Sequence, residues 1–192
     1  MSARLKTTVI KENSPEAGLI KRLYESSFPK IERIPFSYIL GCAHTKDAEL
    51  FAYTEGDTFV GFAFMLLPGN YAYLLFCATE PSLRSKGYGS AILKKLRRHY
   101  PNRAIVLDIE PLSDTAKNSV QRRRRYMFYY NNGFRDTGYE MRDVTGEYSI
   151  LSDREGFDLR DFIKSYDILP EIFEGTEIYR EGQEAPVFVP ED

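Results

Sequence analysis

Residues 80–93 read EPSLRSKGYGSAIL, and within them Arg84, Lys86, Gly87 and Gly89 fall inside six positions. An apolar run with helical spacing follows at once. Glycine lets a backbone come close to a ligand with no side chain in the way. The start of a helix offers unpaired N–H groups and a partial positive charge. Glycines, a helix start and two full positive charges together describe an anion site, for a phosphate or pyrophosphate. The order of residues is neither G-x-x-x-x-G-K-[ST] nor G-x-G-x-x-G. It is R-x-x-G-x-G, placed after an apolar strand that ends in Glu-Pro.

Upstream, AELFAYTEGDTFVGFAFMLLPGNYAYLLFCATE (48–80) divides into three strands, with turns at Glu-Gly-Asp 55–57 and Pro-Gly-Asn 68–70. These spacings fit an antiparallel meander. Further upstream, RLKTTVIKE alternates as a strand. SPEAGLIKRLYESSF follows as a helix with Ser14 as N-cap, Pro15 in its first turn, and Leu19, Ile20, Leu23 and Tyr24 on one face. IPFSYILGCAH reads as a short second helix. Downstream, the helix from about Gly87 to His99 leads into the apolar strand RAIVLDIE, of the buried kind. SVQRRRRYMFYYNN is helical and ends at Gly133 as its C′ glycine. GFRDTGYEMRDV and GEYSILS are further strands, and DLRDFIKSYDI is a last helix. The fold class is therefore mixed α/β: a largely antiparallel twisted sheet flanked by helices. No internal repeat or low-complexity linker interrupts it.

The chain has 192 residues, 43% apolar and rich in Tyr and Phe, enough for one domain with a small extension. No apolar run approaches the roughly 20 residues of a membrane span, and MSARLKTTVIKEN lacks the apolar core of a signal peptide. The expectation is a cytoplasmic protein with no membrane partner. Cys42 and Cys77, both in apolar surroundings, are expected as reduced, buried thiols. His44 and His99 are isolated, so no metal site is expected. Net charge is −2, yet residues 84–125 carry 12 Lys/Arg against 3 Asp/Glu, and residues 140–192 carry 5 against 15. A basic middle suits an anionic ligand, while the acidic tail faces a cationic substrate or confers solubility. In QRRRRY (121–126) four successive residues span every face of a helix. That makes a solvated helix with one or two inward contacts rather than a nucleic-acid patch.

The loop resembles the coenzyme A loop of the GNAT (Gcn5-related) N-acetyltransferases. A second signature of that family, a helix ending in aromatic-Tyr-x-x-x-Gly-Phe, is matched by MFYYNNGF, with Tyr129, Gly133 and Phe134 in place. The strand Ala104–Ile109 lies between the two signatures, and residues 71–136 carry the specific likeness. The resemblance implies the GNAT, or acyl-CoA N-acyltransferase, fold over residues 1–150, with 151–192 a C-terminal extension packed on the same domain. It implies acetyl-CoA as cosubstrate and direct transfer of its acetyl group to a small-molecule or peptide amine. The strand ending in FCATE would splay from its neighbour and pair with the pantetheine arm near Cys77 and Thr79. Arg84, Ser85, Lys86, Gly87, Tyr88, Gly89 and Ser90 would cradle the pyrophosphate, and Tyr129 would protonate the departing thiolate. The family's asparagine seven residues before that tyrosine is here Arg122, which leaves Arg122 or Arg125 to reach a phosphate or the substrate.

An amine with a pKa of about 10.4 arrives protonated, so a base is required. Glu110 at the end of VLDIE is favoured, followed by Glu80 at the end of FCATE. Asp108, on the same face as Glu110, is a third candidate, and apolar neighbours would raise the pKa of such carboxylates. A main-chain N–H of the splayed strand would stabilise the oxyanion. Two other functions stay open: a GNAT-shaped module that holds coenzyme A without turnover, and a basic RNA-interacting protein. The sequence also leaves room for a homodimer, and for the tail to act as a lid or as an edge strand over the acceptor site.

Overall fold

The computed structural model describes residues 5–11 and 14–190. Arg4 and Glu12, the two ends of the expected first strand, fall outside that range, as do residues 1–3 and Asn13. Fifteen regular elements follow one another among the described residues: β1 (Lys6–Val9), α1 (Ala17–Ser27), α2 (Phe36–Cys42), β2 (Ala48–Glu55), β3 (Thr58–Leu66), β4 (Tyr71–Thr79), α3 (Tyr88–His99), β5 (Ala104–Ile109), α4 (Ser119–Asn131), β6 (Arg135–Asp143), β7 (Gly146–Ser152), α5 (Leu159–Phe162), α6 (Lys164–Ile168), α7 (Pro170–Phe173) and β8 (Glu177–Arg180).

The strands form one sheet in the order β1-β2-β3-β4-β5-β7-β6-β8, antiparallel at every pair except β4–β5. The meander β2–β3–β4 is the one the turns at 55–57 and 68–70 predict. Strand alternation divides the apolar residues between two layers. Leu50, Ala52, Phe62, Phe64, Tyr73, Val106 and Ile150 face α1, α2 and the short C-terminal helices. Phe51, Tyr53, Ala63, Leu74, Ile105, Leu107 and Leu151 face α3, which contributes Ile92, Leu93 and Leu96. Burying each of the Leu, Ile, Val and Phe side chains contributes about 1.5–3 kcal/mol, so the two layers hold the helices against the sheet.

Two local expectations are corrected. Helix α1 begins at Ala17 with Glu16 at the cap position and no side-chain cap. The Ser14 hydroxyl instead accepts the Lys11 N–H at 2.9 Å, which ends the preceding strand rather than starting the helix. The last helix is two short ones: Ile163 closes α5 and opens α6, and Tyr166 N–H bonds back three residues to the Ile163 carbonyl at 3.0 Å. The tail does supply an edge strand, but β8 lies beside β6, three places from β5. Strand β7 runs through residue 150, so the residues after it continue the same sheet.

Candidate active site

Strands β4 and β5 pair over only three residues, Tyr71–Tyr73 against Ala104–Val106. Beyond Tyr73, β4 stays bonded to β3 as far as Thr79, whereas β5 turns to β7 through Val106–Ile109. The inner edge of Leu74–Thr79 therefore has no strand beside it. A register shift makes Leu75 an extra residue against β3. Such a bulge re-aims the strand: Leu74 and Cys77 lie with the α3 layer, and Phe76 and Ala78 with the other. Cys77 and Thr79 are both half-buried on this open edge.

Helix α3 starts where the open edge ends. Gly87 occupies the cap position at φ 85° and ψ 0°, and Ser85 adopts φ 61°. Left-handed backbone is costly for a residue with a Cβ, and its presence at Ser85 marks a loop held in a demanding shape. The first bond of the helix runs from Ala91 N–H to the Gly87 carbonyl at 3.1 Å. The main-chain N–H groups of Ser85, Lys86, Gly87, Tyr88, Gly89 and Ser90 have no protein acceptor among the described residues. Arg84 and Lys86 are exposed and stand in no ion pair among those residues. Six free amides and two free cations at a helix N-terminus fit a diphosphate. Gly89 serves a second end: a Cβ there would lie 2.9 Å from the Phe128 ring, so the glycine also lets α4 approach.

The three carboxylates part company. Glu110 accepts from Asn118 Nδ2 at 3.0 and 3.2 Å, and pairs with Arg122 and Arg125 at 2.9 Å each. Burial pushes its pKa up, but the Asn118 hydrogen bond and the two guanidiniums outweigh that and leave it below the usual glutamate range. Asp108, two residues earlier on the same face, is held by a hydrogen bond from the buried Tyr73 hydroxyl. Burial raises its pKa to about 6; the Tyr73 bond opposes the rise and the nearby Asp143 and Glu32 charges add to it. Glu80 is half-buried at the end of β4, with its N–H bonded to the Val60 carbonyl at 2.8 Å. Its carboxylate has no hydrogen-bond partner among the described residues. Glu32 is raised by burial and by the nearby Glu110 charge, with Arg125 opposing and Asp143 adding, so acidic groups gather near Asp108 and Glu110.

Tyr129 packs its ring at 5.0 Å from Phe128 and 5.5 Å from Phe134, in the layer that holds Cys77. Burial is the main reason its phenol titrates well above the usual tyrosine range, and the Cys77 side chain adds to it. Tyr130, by contrast, is exposed and stacks under Arg135. The Cys77 thiol is itself pushed by burial to about 12, so it is neither a nucleophile nor a base at neutral pH. Arg122, at the position where the family keeps an asparagine, also bonds Asn118 Oδ1 at 2.8 Å and the Pro111 carbonyl at 3.1 Å. Neither it nor Arg125 stands free for a phosphate. Sequence reasoning ranked Asp108 third and passed over its tyrosine partner. The pattern Asp-x-Glu at the end of a buried strand was the available signal, since it sets both carboxylates on one face.

A family model described as Acetyltransferase (GNAT) family matches residues 18–123. Solved structures share the architecture at low identity. A GNAT-family protein from Bacteroides thetaiotaomicron is 20% identical, with a TM-score of 0.66 over 88% of this chain and 96% of that one. An aminoglycoside 6'-N-acetyltransferase complexed with coenzyme A is 17% identical, with a TM-score of 0.62 over 80% and 99%. The ribosomal-protein-S18-alanine N-acetyltransferase of Escherichia coli is 15% identical, with a TM-score of 0.56 over 80% and 99%. No curated protein matches the chain in sequence.

Proposed function

Because the chain belongs to the acetyltransferase (GNAT) family, we propose that it is an acetyl-CoA-dependent N-acetyltransferase acting on a primary amine within a ternary complex. The observation that carries this reading is the unpaired inner edge of β4 leading into six unengaged amides at the start of α3. The edge around Cys77 and Thr79 takes the pantetheine arm through main-chain hydrogen bonds, and Arg84–Ser90 take the diphosphate. Residues 1–150 carry the acetyltransferase unit, whose last strand, β7, runs on to Ser152. Residues 151–192 are an extension whose Phe162 and Phe173 rings back Tyr73 at 5.0 and 6.2 Å.

Asp108 takes a proton from the incoming ammonium, directly or through water. A carboxylate with a pKa near 6 is ionised at neutral pH yet more basic than a free one, which suits a general base. Glu110 is the weaker candidate because both its oxygens already accept hydrogen bonds and its pKa is lowered. Glu80 directly precedes the loop that gathers the diphosphate. The freed amine attacks the acetyl carbon, and a main-chain N–H of β4 stabilises the oxyanion. As the carbon–sulfur bond breaks, Tyr129 gives its proton to the sulfur, the nitrogen releases its surplus proton to water, and water returns a proton to the phenolate; the raised pKa of Tyr129 keeps its proton available until then. Glu32 and Asp143, whose charges act on Asp108, favour an acceptor with a second positive charge.

The test is thiol release from acetyl-CoA across a panel of mono- and polyamines. Activity is expected with at least one polyamine, and Asp108→Asn or Tyr129→Phe should each slow kcat by about 100-fold, an ordinary size for a lost acid or base. Coenzyme A affinity in the Tyr129→Phe protein should stay within about twofold, since a leaving-group acid contributes to the transition state rather than to binding. Tight coenzyme A binding with no release from any amine would favour the silent binding module instead.

A further inference from the structure

We propose that Glu55, at the end of β2, is a positioning residue for the cofactor loop, acting through Tyr88; the proposal rests on reading that loop as a coenzyme A site. Helix α3 has no side-chain cap. A serine or aspartate at the cap would occupy one of the amides an anion needs. The loop is thus left without the usual local anchor, between two glycines and with two residues in left-handed backbone. An unanchored start of this kind would give up part of its binding free energy to ordering.

The anchors come from elsewhere in the fold. Tyr88 is the first residue of α3, half-buried against the layer beneath it. Its hydroxyl donates to Glu55 Oε2 at 2.5 Å. Glu55 stands two residues beyond Tyr53, and so on the sheet face that α3 covers. Fixing the Tyr88 ring fixes the Cα beside the amides of Tyr88, Gly89 and Ser90. The Phe128 ring against Gly89 holds the same turn from the side of α4. The Tyr88 hydroxyl is turned to the Glu55 carboxylate, which leaves the Tyr88 main-chain N–H for the anion.

Calorimetric titration with coenzyme A tests this on wild type, Tyr88→Phe, Glu55→Ala, Glu55→Gln and the Tyr88→Phe/Glu55→Ala double variant. Each of the first two single changes is expected to weaken binding by about 5-fold, part of what a hydrogen bond to a charged group contributes. The double variant should be no weaker than Glu55→Ala alone, because the Tyr88 change then removes a contact already lost. Glu55→Gln, whose amide oxygen accepts the same phenol, should restore affinity. The KM for acetyl-CoA should follow these changes, with kcat level in the two Glu55 single variants. Hydrogen exchange in the unliganded protein should quicken over residues 85–91 in Tyr88→Phe and Glu55→Ala and not in Glu55→Gln. Additive effects, unchanged affinity and exchange in the single variants, or tighter binding in both Glu55 variants would overturn the proposal; the last would mean that Glu55 acts only as a charge. Should wild type fail to bind coenzyme A, the functional reading falls, and the exchange result alone decides whether the latch exists.

Discussion

Two short segments carry most of the conspicuous positive charge, and the fold treats them oppositely. Residues 84–90 keep Arg84 and Lys86 exposed and unpaired, with six amides free beside them. Residues 122–125 have the denser charge, yet Arg122 and Arg125 are committed to Glu110 and Arg123 to Asp114. Charge density in a sequence thus says little about function until the partners are known. A cation that has met its carboxylate is structure; one left open beside free amides at a helix N-terminus is available to an anion.

The largest expected effect breaks the open segment. Reversing both of its charges, Arg84→Glu with Lys86→Glu, should weaken coenzyme A binding by roughly 50-fold or more at low salt, with the loss shrinking as salt screens the pair. Isothermal titration at two ionic strengths measures it. A loss below about threefold would mean that the amides alone hold the ligand, and that the two segments differ less than their pairing suggests.

Next comes the closed segment. Glu110→Gln leaves Arg122 and Arg125 without their counter-charge in a place where their side chains are 21% and 47% exposed. At pH 7 it should cost about 1–2 kcal/mol of stability, as expected for stranding a partly buried charge. Because the folded Glu110 pKa is lowered, its contribution is present above the unfolded value and lost as pH falls through the folded one. The gap in Tm between variant and wild type should therefore close below about pH 4. Acetyl transfer in the folded variant should persist. Its abolition would return the base to Glu110.

Asp108 runs the other way. Its folded pKa is raised to about 6, so its favourable contribution exists below the unfolded value and is lost as pH rises through 6. Asp108→Asn should raise Tm by roughly 3–6 °C at pH 8 and by almost nothing at pH 4, while abolishing most turnover. Gain of stability with loss of activity is what a strained catalytic group gives.

Much of this was legible in the sequence because it is local. The loop, its helix, the strand Ala104–Ile109 and the Tyr129–Gly133 helix end depend on residues within a few turns of each other, and spacing fixes them. The hidden parts depend on distant pairs. Glu110 looked like a free strand-end carboxylate because its three partners lie on the far side of a loop, at Asn118, Arg122 and Arg125. Asp108 owes its raised pKa to burial, and the Tyr73 hydroxyl that holds it lies 35 residues away, within reach because β4 and β5 are parallel neighbours. The same holds for β8, whose place beside β6 no periodicity encodes, and for Glu55, which meets Tyr88 across the sheet face.

The smallest expected effect tests the comparison at its weakest member. Arg123 and Asp114 are paired at 3.0 Å, but their side chains are 71% and 91% exposed. Water screens such a pair, and ordering two long side chains offsets what Coulomb attraction remains. Arg123→Ala should shift Tm by no more than about 1 °C and leave coenzyme A affinity unchanged within error. Arg124 has no ion-pair partner among the described residues and should behave alike. A clear drop in affinity for either variant would show that the solvent face of α4 reaches the ligand. The arginine run would then belong with the open segment rather than the closed one.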